Sequence, residues 1–501
     1  MDASHPSSGI RTGVIRLILA GVLLLASAVF LAIRSDLRQA YDIQVIPPTC
    51  TDAGYSLYTD LRTGSTEIRD EIPANGHTVM SWKEIRSTDG INPALDEGIC
   101  TVCGKKTELA KYPELGIPVV SVKGSLAGIG KTSEVRLEIS FRDGDNSFDC
   151  YGLLKHQGHS SLSFPKKNFT LKLFQDAFCE SKNKLVFGQW HPEHKYILKA
   201  NYMDPSQAKN LVASYIWGDM AATREKLPRE LKQLAHYGAV DGFPVALYHD
   251  HRFLGLYTWN LHKDEDLFSM SEGRSHAMVI ANHTSMPEAY FREEAIFREH
   301  ADPTQESPWE LEFCGTEDVQ WAKDKFNALI RFVSQSDDET FRQDLHKYLD
   351  VDSAVDYLVA MYALGLTEHA AKDLLLVTYD IDTPWIASMY DLEEAFDQSA
   401  MPVLTESGWN SGTGSLLWDR LLNLFYPQIR DRYRVVRRDI LDPEKICSRV
   451  EDFIALISQA LYREDSRVNG FPEFSSLQKD EMFRAIKENI TNLDEIFKEE
   501  G

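Results

Sequence analysis

The hydrophobic pattern changes period along the chain, and that change constrains the fold more than any other feature. Between residues 117 and 174 apolar side chains alternate or form short blocks, as in Pro118-Val-Val-Ser-Val122, Val135-Arg-Leu-Glu-Ile-Ser-Phe141 and Phe169-Thr-Leu-Lys-Leu-Phe174, with Gly and Asn/Asp turns between them. A two-residue repeat of this kind predicts strands. Phe243-Pro-Val-Ala-Leu-Tyr248 and Phe253-Leu-Gly-Leu-Tyr-Thr-Trp259 flank the polar turn His249-Asp-His-Arg252 and read as a hairpin. A helix is expected over 205–220, with Asp204 as N-cap and Pro205 in the first turn. After about residue 318 the period lengthens to that of helices, interrupted by a strand pair near 374–378 and 385–389. The expected class is α+β, with a β-rich N-terminal half and a helix-rich C-terminal half.

Ahead of this body stands one uncharged apolar run, residues 17–33 (LILAGVLLLASAVFLAI), with Arg11 and Arg16 before it and Arg34 after it. At about 1.5 Å per residue it reaches roughly 25 Å, slightly short of a bilayer core of about 30 Å. It fits an uncleaved signal anchor and, because Ala26-Ser-Ala28 is a small-x-small site, also a removable signal peptide. Both readings keep the basic flank inside and export the rest, so the expected location is extracytoplasmic, membrane-anchored or secreted. Residues 1–34 form this segment, and 35–115, polar and turn-rich, read as a stalk or small β-rich module in which no chemistry is legible.

The chain carries 76 acidic against 53 basic residues, a net charge of −23. Nucleic acid is thereby excluded as a partner, because holding a phosphate backbone needs a basic footprint. Seven cysteines suit an oxidising compartment, and the odd count leaves at least one unpaired. Cys100-Thr-Val-Cys103 is the only CxxC, with no second CxxC or HxxxH nearby to complete four ligands, so a disulfide or two ordinary cysteines are expected there rather than zinc. Sequons at Asn168, Asn282 and Asn489 matter only where the host glycosylates.

Three constellations bear on chemistry. Gly124-Ser-Leu-Ala-Gly-Ile-Gly-Lys-Thr132 contains Gly-Lys-Thr, but Ser125 stands where a phosphate loop needs glycine and a strand follows instead of a helix; a glycine-rich hairpin turn is expected. Lys155-His-Gln-Gly-His-Ser-Ser161 and Phe164-Pro-Lys-Lys-Asn-Phe-Thr-Leu-Lys-Leu173 gather lysines and hydroxyls around a strand. These groups suit phosphate oxygens, and equally suit the solvated face of an edge strand. Glu368-His-Ala-Ala-Lys-Asp373 and, after a hairpin, Asp391-Leu-Glu393 would bring four carboxylates together, either around a divalent cation or in a hydrated acidic loop. His369 is open to a proton-relay role or an ordinary hydrogen bond.

Seven segments in order carry a family resemblance: Lys155-His-Gln-Gly-His-Ser-Ser161, Phe164-Pro-Lys-Lys167, Tyr196-Ile-Leu-Lys-Ala-Asn-Tyr-Met-Asp204, Lys209-Asn-Leu-Val-Ala213, Arg252-Phe-Leu-Gly-Leu-Tyr257, Tyr390-Asp-Leu-Glu393 and Leu417-Trp-Asp-Arg-Leu421. Together they resemble the CotH family of spore-coat and surface proteins. The resemblance implies an atypical protein-kinase-like fold over 116–445, with 446–501 as C-terminal helices packed on it. It implies ATP and Mg²⁺ or Mn²⁺ as cofactors, a protein hydroxyl as acceptor, and a protein substrate or surface-assembly partner. Glu368 falls on the family's catalytic aspartate; Asp373, Asp391 and Glu393 fall on its metal-binding positions. Lys155, Lys167 and Lys172 would face nucleotide phosphate, Lys172 being favoured over Lys167 and Lys199 as the main nucleotide lysine.

Departures from the family pattern are specific. Glutamate replaces the catalytic aspartate at 368, aspartate replaces asparagine at 373, and Tyr390 and Glu393 replace a tryptophan and an aspartate. Lys155 stands for an arginine, losing bidentate contact while keeping the charge. Leu261 stands where an acidic partner for the nucleotide lysine is expected. The implied alternative is a pseudokinase or coat-assembly binding module, and paired carboxylates leave a hydrolase as a third reading.

Overall fold

The computed structural model describes residues 41–158, 160–281, 290–298, 308–397, 401–410, 412 and 414–498. The apolar run at 17–33 and the sequon at Asn282 lie outside the described residues. Among the described residues no helix is long and apolar enough to cross a membrane. The chain divides into two compact units, one holding residues 41–87 and 94–111, the other holding 88–93 and everything described from 112 onward.

The first unit is built of strands throughout. Strands β1 (Tyr41–Ile46), β2 (Gly54–Asp60) and β3 (Thr66–Ile72) form one antiparallel sheet. Strands β4 (Val79–Arg86), β5 (Ala94–Cys100) and β6 (Lys106–Lys111) form another.

In the second unit, seven strands close into a barrel: β7 (Val119–Lys123), β8 (Val135–Arg142), β9 (Phe148–Gln157), β10 (Asn168–Phe174), β11 (Lys195–Lys199), β12 (Gly242–His249) and β13 (Arg252–Leu261). Their order is β10-β11-β13-β12-β7-β8-β9, all antiparallel except the β12–β7 pair. Alternation explains the closure. On β8, Leu137, Ile139 and Phe141 point inward while Arg136 and Glu138 face out. The β7–β8 connection is the expected hairpin turn, and the β12–β13 hairpin also forms as read.

The expected helix over 205–220 begins later, at Lys209, and runs Lys209–Ala222. Gln207 sits at φ +63, which a helix cannot accommodate, and the Asp204 carboxylate accepts the Ser206 N–H at 3.0 Å and the Lys209 N–H at 2.9 Å. Asp204 thus closes a turn ahead of the helix.

The second half packs helices against a five-stranded sheet of order β15-β16-β14-β17-β18, built from β14 (Ala277–Ala281), β15 (Phe297–Arg298), β16 (Trp309–Cys314), β17 (Leu374–Thr378) and β18 (Ile386–Met389). The β17–β18 pair matches the sequence reading. Helix Val351–Leu364 is buried from Ser353 to Leu364, as an apolar-all-round helix must be. Its one buried charge, Asp356, receives Arg224 Nε and Arg432 Nε at 2.6 Å each.

A second buried ion pair ties helix Gln459–Asn469 to the barrel. Lys166 Nζ lies 2.9 Å from Asp465, donates to the Leu256 carbonyl and sits over the Tyr257 ring, while Asp465 accepts the Leu256 N–H at 3.0 Å. Gly255 makes room: a Cβ there would meet Asp465 Oδ1 at 2.7 Å. Two sequons are also spoken for. Asn168 accepts the Ala200 N–H at 2.7 Å and Asn489 donates to the Asp397 carbonyl at 3.2 Å, both buried, so neither is open to glycosylation in the folded chain.

Removing one partner of a buried pair strands the other charge, at a cost of about 3–5 kcal/mol. Asp356→Ala and Asp465→Ala are therefore expected to lower unfolding free energy by about that amount in urea titrations. Asp439→Ala, which breaks an exposed pair with Lys445, should leave the midpoint nearly unchanged.

Candidate active site

Strands β9, β10 and β11 present to one cleft the side chains that do not fill the barrel. In β11, Tyr196 and Leu198 are core, which turns Lys195 and Lys199 the other way. Across the sheet Thr170 is registered against Lys155. The cleft measures about 760 Å³ and is walled opposite by residues 368–373 and 390–393. Six lysines (131, 155, 195, 199, 263, 372) and six carboxylates (310, 312, 368, 373, 391, 393) line it, with Ser160 and Ser161. In a chain of net charge −23 this local balance marks the site.

Lys199 is the centre of the arrangement. Its side chain is 5% exposed; Nζ donates to Asp391 Oδ1 and lies 3.3 Å from Glu393 Oε2. Burial opposes the Lys199 charge, but Asp391 and Glu393 raise its pKa well above the ordinary lysine value. Burial also opposes the charge on Asp391, yet Lys199 holds that carboxyl below the usual range. Lys199 pulls Glu393 down as well, but Asp391 and burial together carry it above its ordinary value. The absence of an acid at 261 therefore leaves no gap, because the 391–393 turn itself supplies the acidic partners of the buried lysine.

Lys372 clamps the other two carboxylates, 3.0 Å from Glu368 Oε2 and 3.3 Å from Asp373 Oδ2. Burial, with Asp391 nearby, pushes the Asp373 carboxyl up to about 8 despite Lys372. The four acids thus stand as two lysine-held pairs, and no three of their ligand oxygens lie within 4.8 Å of one another. Their chemistry nevertheless fits a hard divalent cation: Asp391 penalises the charge on Asp373, and neighbouring carboxylate oxygens of this kind are the donors Mg²⁺ or Mn²⁺ takes.

Both acids at the centre sit on left-handed backbone, Asp373 at φ +63 and Asp391 at φ +59. Such positions cost about 1–3 kcal/mol and persist where surroundings over-determine them. Here the Asp373 N–H donates to the Ala281 carbonyl at 2.8 Å and the Leu392 N–H to Asn210 at 2.9 Å. Buried His369 donates from Nε2 to the Tyr390 carbonyl at 2.9 Å, joining the two loops. Burial drives its pKa down to about 4, so it is a neutral tether and not a proton relay at neutral pH.

The other expected phosphate lysines are placed differently. Lys155 lines the cleft, where burial and then Lys172 lower its pKa. Lys167 turns back on its own loop, donating to the Leu162 and Phe164 carbonyls. Lys172 pairs with Glu134 at 2.7 Å, and neither lines the cleft. Sequence reasoning did not assign Lys131, Lys195, Lys263 or Glu312. Lys131 and Thr132 reach the cleft from the glycine-rich hairpin turn, and Lys263 lies 3.1 Å from Glu312 and over the Tyr390 ring. Gly158, at φ +110, precedes the serines because a Cβ there would meet Ser161 Oγ at 2.0 Å.

A family model described as CotH kinase protein matches residues 154–496. The chain belongs to the CotH kinase family. No curated protein matches it. The CotH match runs past 445 and takes in helices Pro443–Ala455, Gln459–Asn469 and Ser476–Ile496.

The folded pKa of His369 lies below the ordinary histidine value of about 6.5, so its contribution to stability is complete above that pH and is lost as pH falls toward 4. The slope from this one group reaches about 1.4 kcal/mol per pH unit. His369→Gln, which keeps a donor for the Tyr390 carbonyl, should flatten the fall of unfolding free energy across that window. Equal slopes for both proteins would reject the buried neutral histidine as a source.

Proposed function

We propose that this CotH-family chain is an atypical kinase that binds ATP with Mg²⁺ or Mn²⁺ in the lysine-lined cleft and transfers the γ-phosphoryl group to a protein hydroxyl. The observation that carries this reading is Lys199, a buried cation on a barrel strand bonded to the Asp391–Glu393 turn beside Asp373. Phosphoryl transfer needs that juxtaposition: cations for the phosphates next to acids for the metal.

Asp373 and Asp391, with Glu393 beside them, would hold the divalent cation, which supplies charge neutralisation when bound. Lys199 and Lys155 offset phosphate charge, and Ser160 and Ser161 offer hydroxyl donors. The acceptor oxygen bonds to the γ-phosphorus as the bond from phosphorus to the β,γ-bridging oxygen breaks. ADP takes that electron pair, and the hydroxyl proton passes to the Glu368 carboxylate. The longer glutamate is steadied by Lys372. Export through residues 17–33 is part of the proposal, and would have the enzyme act in transit or on supplied nucleotide, with a protein substrate or surface-assembly partner outside.

One observation favours a second reading, a binding module without catalysis: Lys372 engages both Glu368 and Asp373, two of the positions at which this chain departs from the family pattern.

Asp391→Asn is expected to abolish ATP-dependent labelling of a protein acceptor while circular dichroism stays native. Glu368→Ala should slow transfer by about 10²–10⁴-fold. Undiminished labelling in Asp391→Asn would sink the kinase assignment. A wild-type chain whose melting temperature rises with ATP and Mg²⁺ but which transfers nothing would establish the second reading.

A further inference from the structure

The first unit draws together four metal-ligating side chains that are scattered in sequence. Cys50 lies in the β1–β2 connection, His77 in the β3–β4 connection, Cys100 at the end of β5 and Cys103 in the β5–β6 turn. Their ligand atoms all lie within 4.8 Å of one another. Cys50 Sγ and Cys100 Sγ are 3.8 Å apart, and Cys103 Sγ is 3.4 Å from His77 Nδ1. A disulfide would need about 2.03–2.05 Å between sulfurs, and all three cysteines are free.

The two measured separations match edges of a tetrahedron around zinc. A Zn²⁺ about 2.3 Å from sulfur and about 2.0–2.1 Å from nitrogen puts two sulfurs about 3.8 Å apart and a sulfur and a nitrogen about 3.5 Å apart. We propose that residues 41–111 hold a structural Zn²⁺ through the thiolates of Cys50, Cys100 and Cys103 and the imidazole Nδ1 of His77. Three thiolates and one imidazole close the coordination shell, leaving no position for a substrate, as in a structural rather than a catalytic site.

Two further observations support it. The ligand-bearing loops are laced by backbone: Asn75 N–H donates to the Thr49 carbonyl at 2.9 Å, Thr101 N–H to Thr78 at 2.8 Å and Gly104 N–H to Cys100 at 2.9 Å. The site is therefore preformed, with Gly104 at φ +73 allowing the tight turn after Cys103. Second, the unit has almost no core. Among its described residues the buried members of the apolar class are Leu95 and the two cysteines Cys50 and Cys100, while Val45, Met80, Ile99 and Val102 are exposed. Small units with so little buried apolar area are held by metals or disulfides.

The test uses the full chain, purified without chelators or metal-affinity resin. Elemental analysis should find equimolar zinc, and Co²⁺ exchange should give the visible absorption of a tetrahedral thiolate site. Cys103→Ser changes the exposed ligand and should lose most of the zinc, whereas Cys314→Ser, outside the cluster, should keep it. Chelation should open residues 41–111 to trypsin and leave the CotH region resistant, a readout independent of any kinase activity. Zinc-free protein with these thiols free or in disulfides overturns the proposal. So does zinc that survives Cys50→Ser and Cys103→Ser together.

Discussion

The buried bond between Lys199 and the Asp391–Glu393 turn is the interaction on which the cleft depends. A lysine at the end of a barrel strand, with only 5% of its side chain exposed, is untenable alone, because desolvation penalises its charge. Two carboxylates on the far wall of the cleft make it tenable, and it in turn keeps Asp391 ionised beside Asp373. Neither wall is electrostatically complete without the other. The ion pair therefore fixes which end of β11 faces the carboxylate loops.

That constraint explains where the chain accepts backbone strain. Asp373 and Asp391 occupy left-handed conformations that a glycine or asparagine would adopt with less cost, yet both positions carry acids. The hydrogen bonds that hold them come from rigid neighbours: a strand end at Ala281, helix residue Asn210, and His369 reaching across to Tyr390. Trp418 and Tyr357 add donors to the carbonyls of Ala370 and His369. The backbone of the 369–373 segment is thus held by buried partners, and Asp373 is presented with little freedom to rearrange. Preorganisation of this kind is what an electrostatic site needs, since polar groups already oriented do not have to reorganise during a reaction.

Much of this was legible in the chain, and what was missed has physical causes. Strands with a clean two-residue period, such as Val135–Arg142, were readable because burial on one face enforces the alternation. The helix start near 205 was misread because Asp204 and Pro205 fit a helix N-terminus while Gln207 takes a left-handed turn that no local signal announces. The hairpin between them was enough to bring Glu368, Asp373, Asp391 and Glu393 together, whereas Lys372 was not assigned and Lys199 stood behind Lys172 as the nucleotide lysine. Lys172 and Lys199 both point away from the barrel core. Register sets Lys172 level with Lys195, at the opposite end of β11 from Lys199. Alternation tells which face a lysine takes and is silent on which end of a strand meets the far wall.

The cysteines show the same limit from the other direction. A CxxC is judged by the ligands near it in sequence, and Cys50 and His77 lie too far from Cys100 and Cys103 to be counted. What brings them together is strand pairing, since each ligand sits in or beside a turn where backbone hydrogen bonds bring the loops together. The two units of this chain consequently rest on different physics. The CotH region buries a large apolar core and compensates charges buried within it by ion pairs at Asp356, Asp465 and Lys199. The small β unit leaves many large apolar side chains exposed, and among its described residues two of the three buried members of the apolar class are the cysteines Cys50 and Cys100. In a unit of that kind, four ligands at tetrahedral spacing offer the cohesion that a hydrophobic core supplies elsewhere.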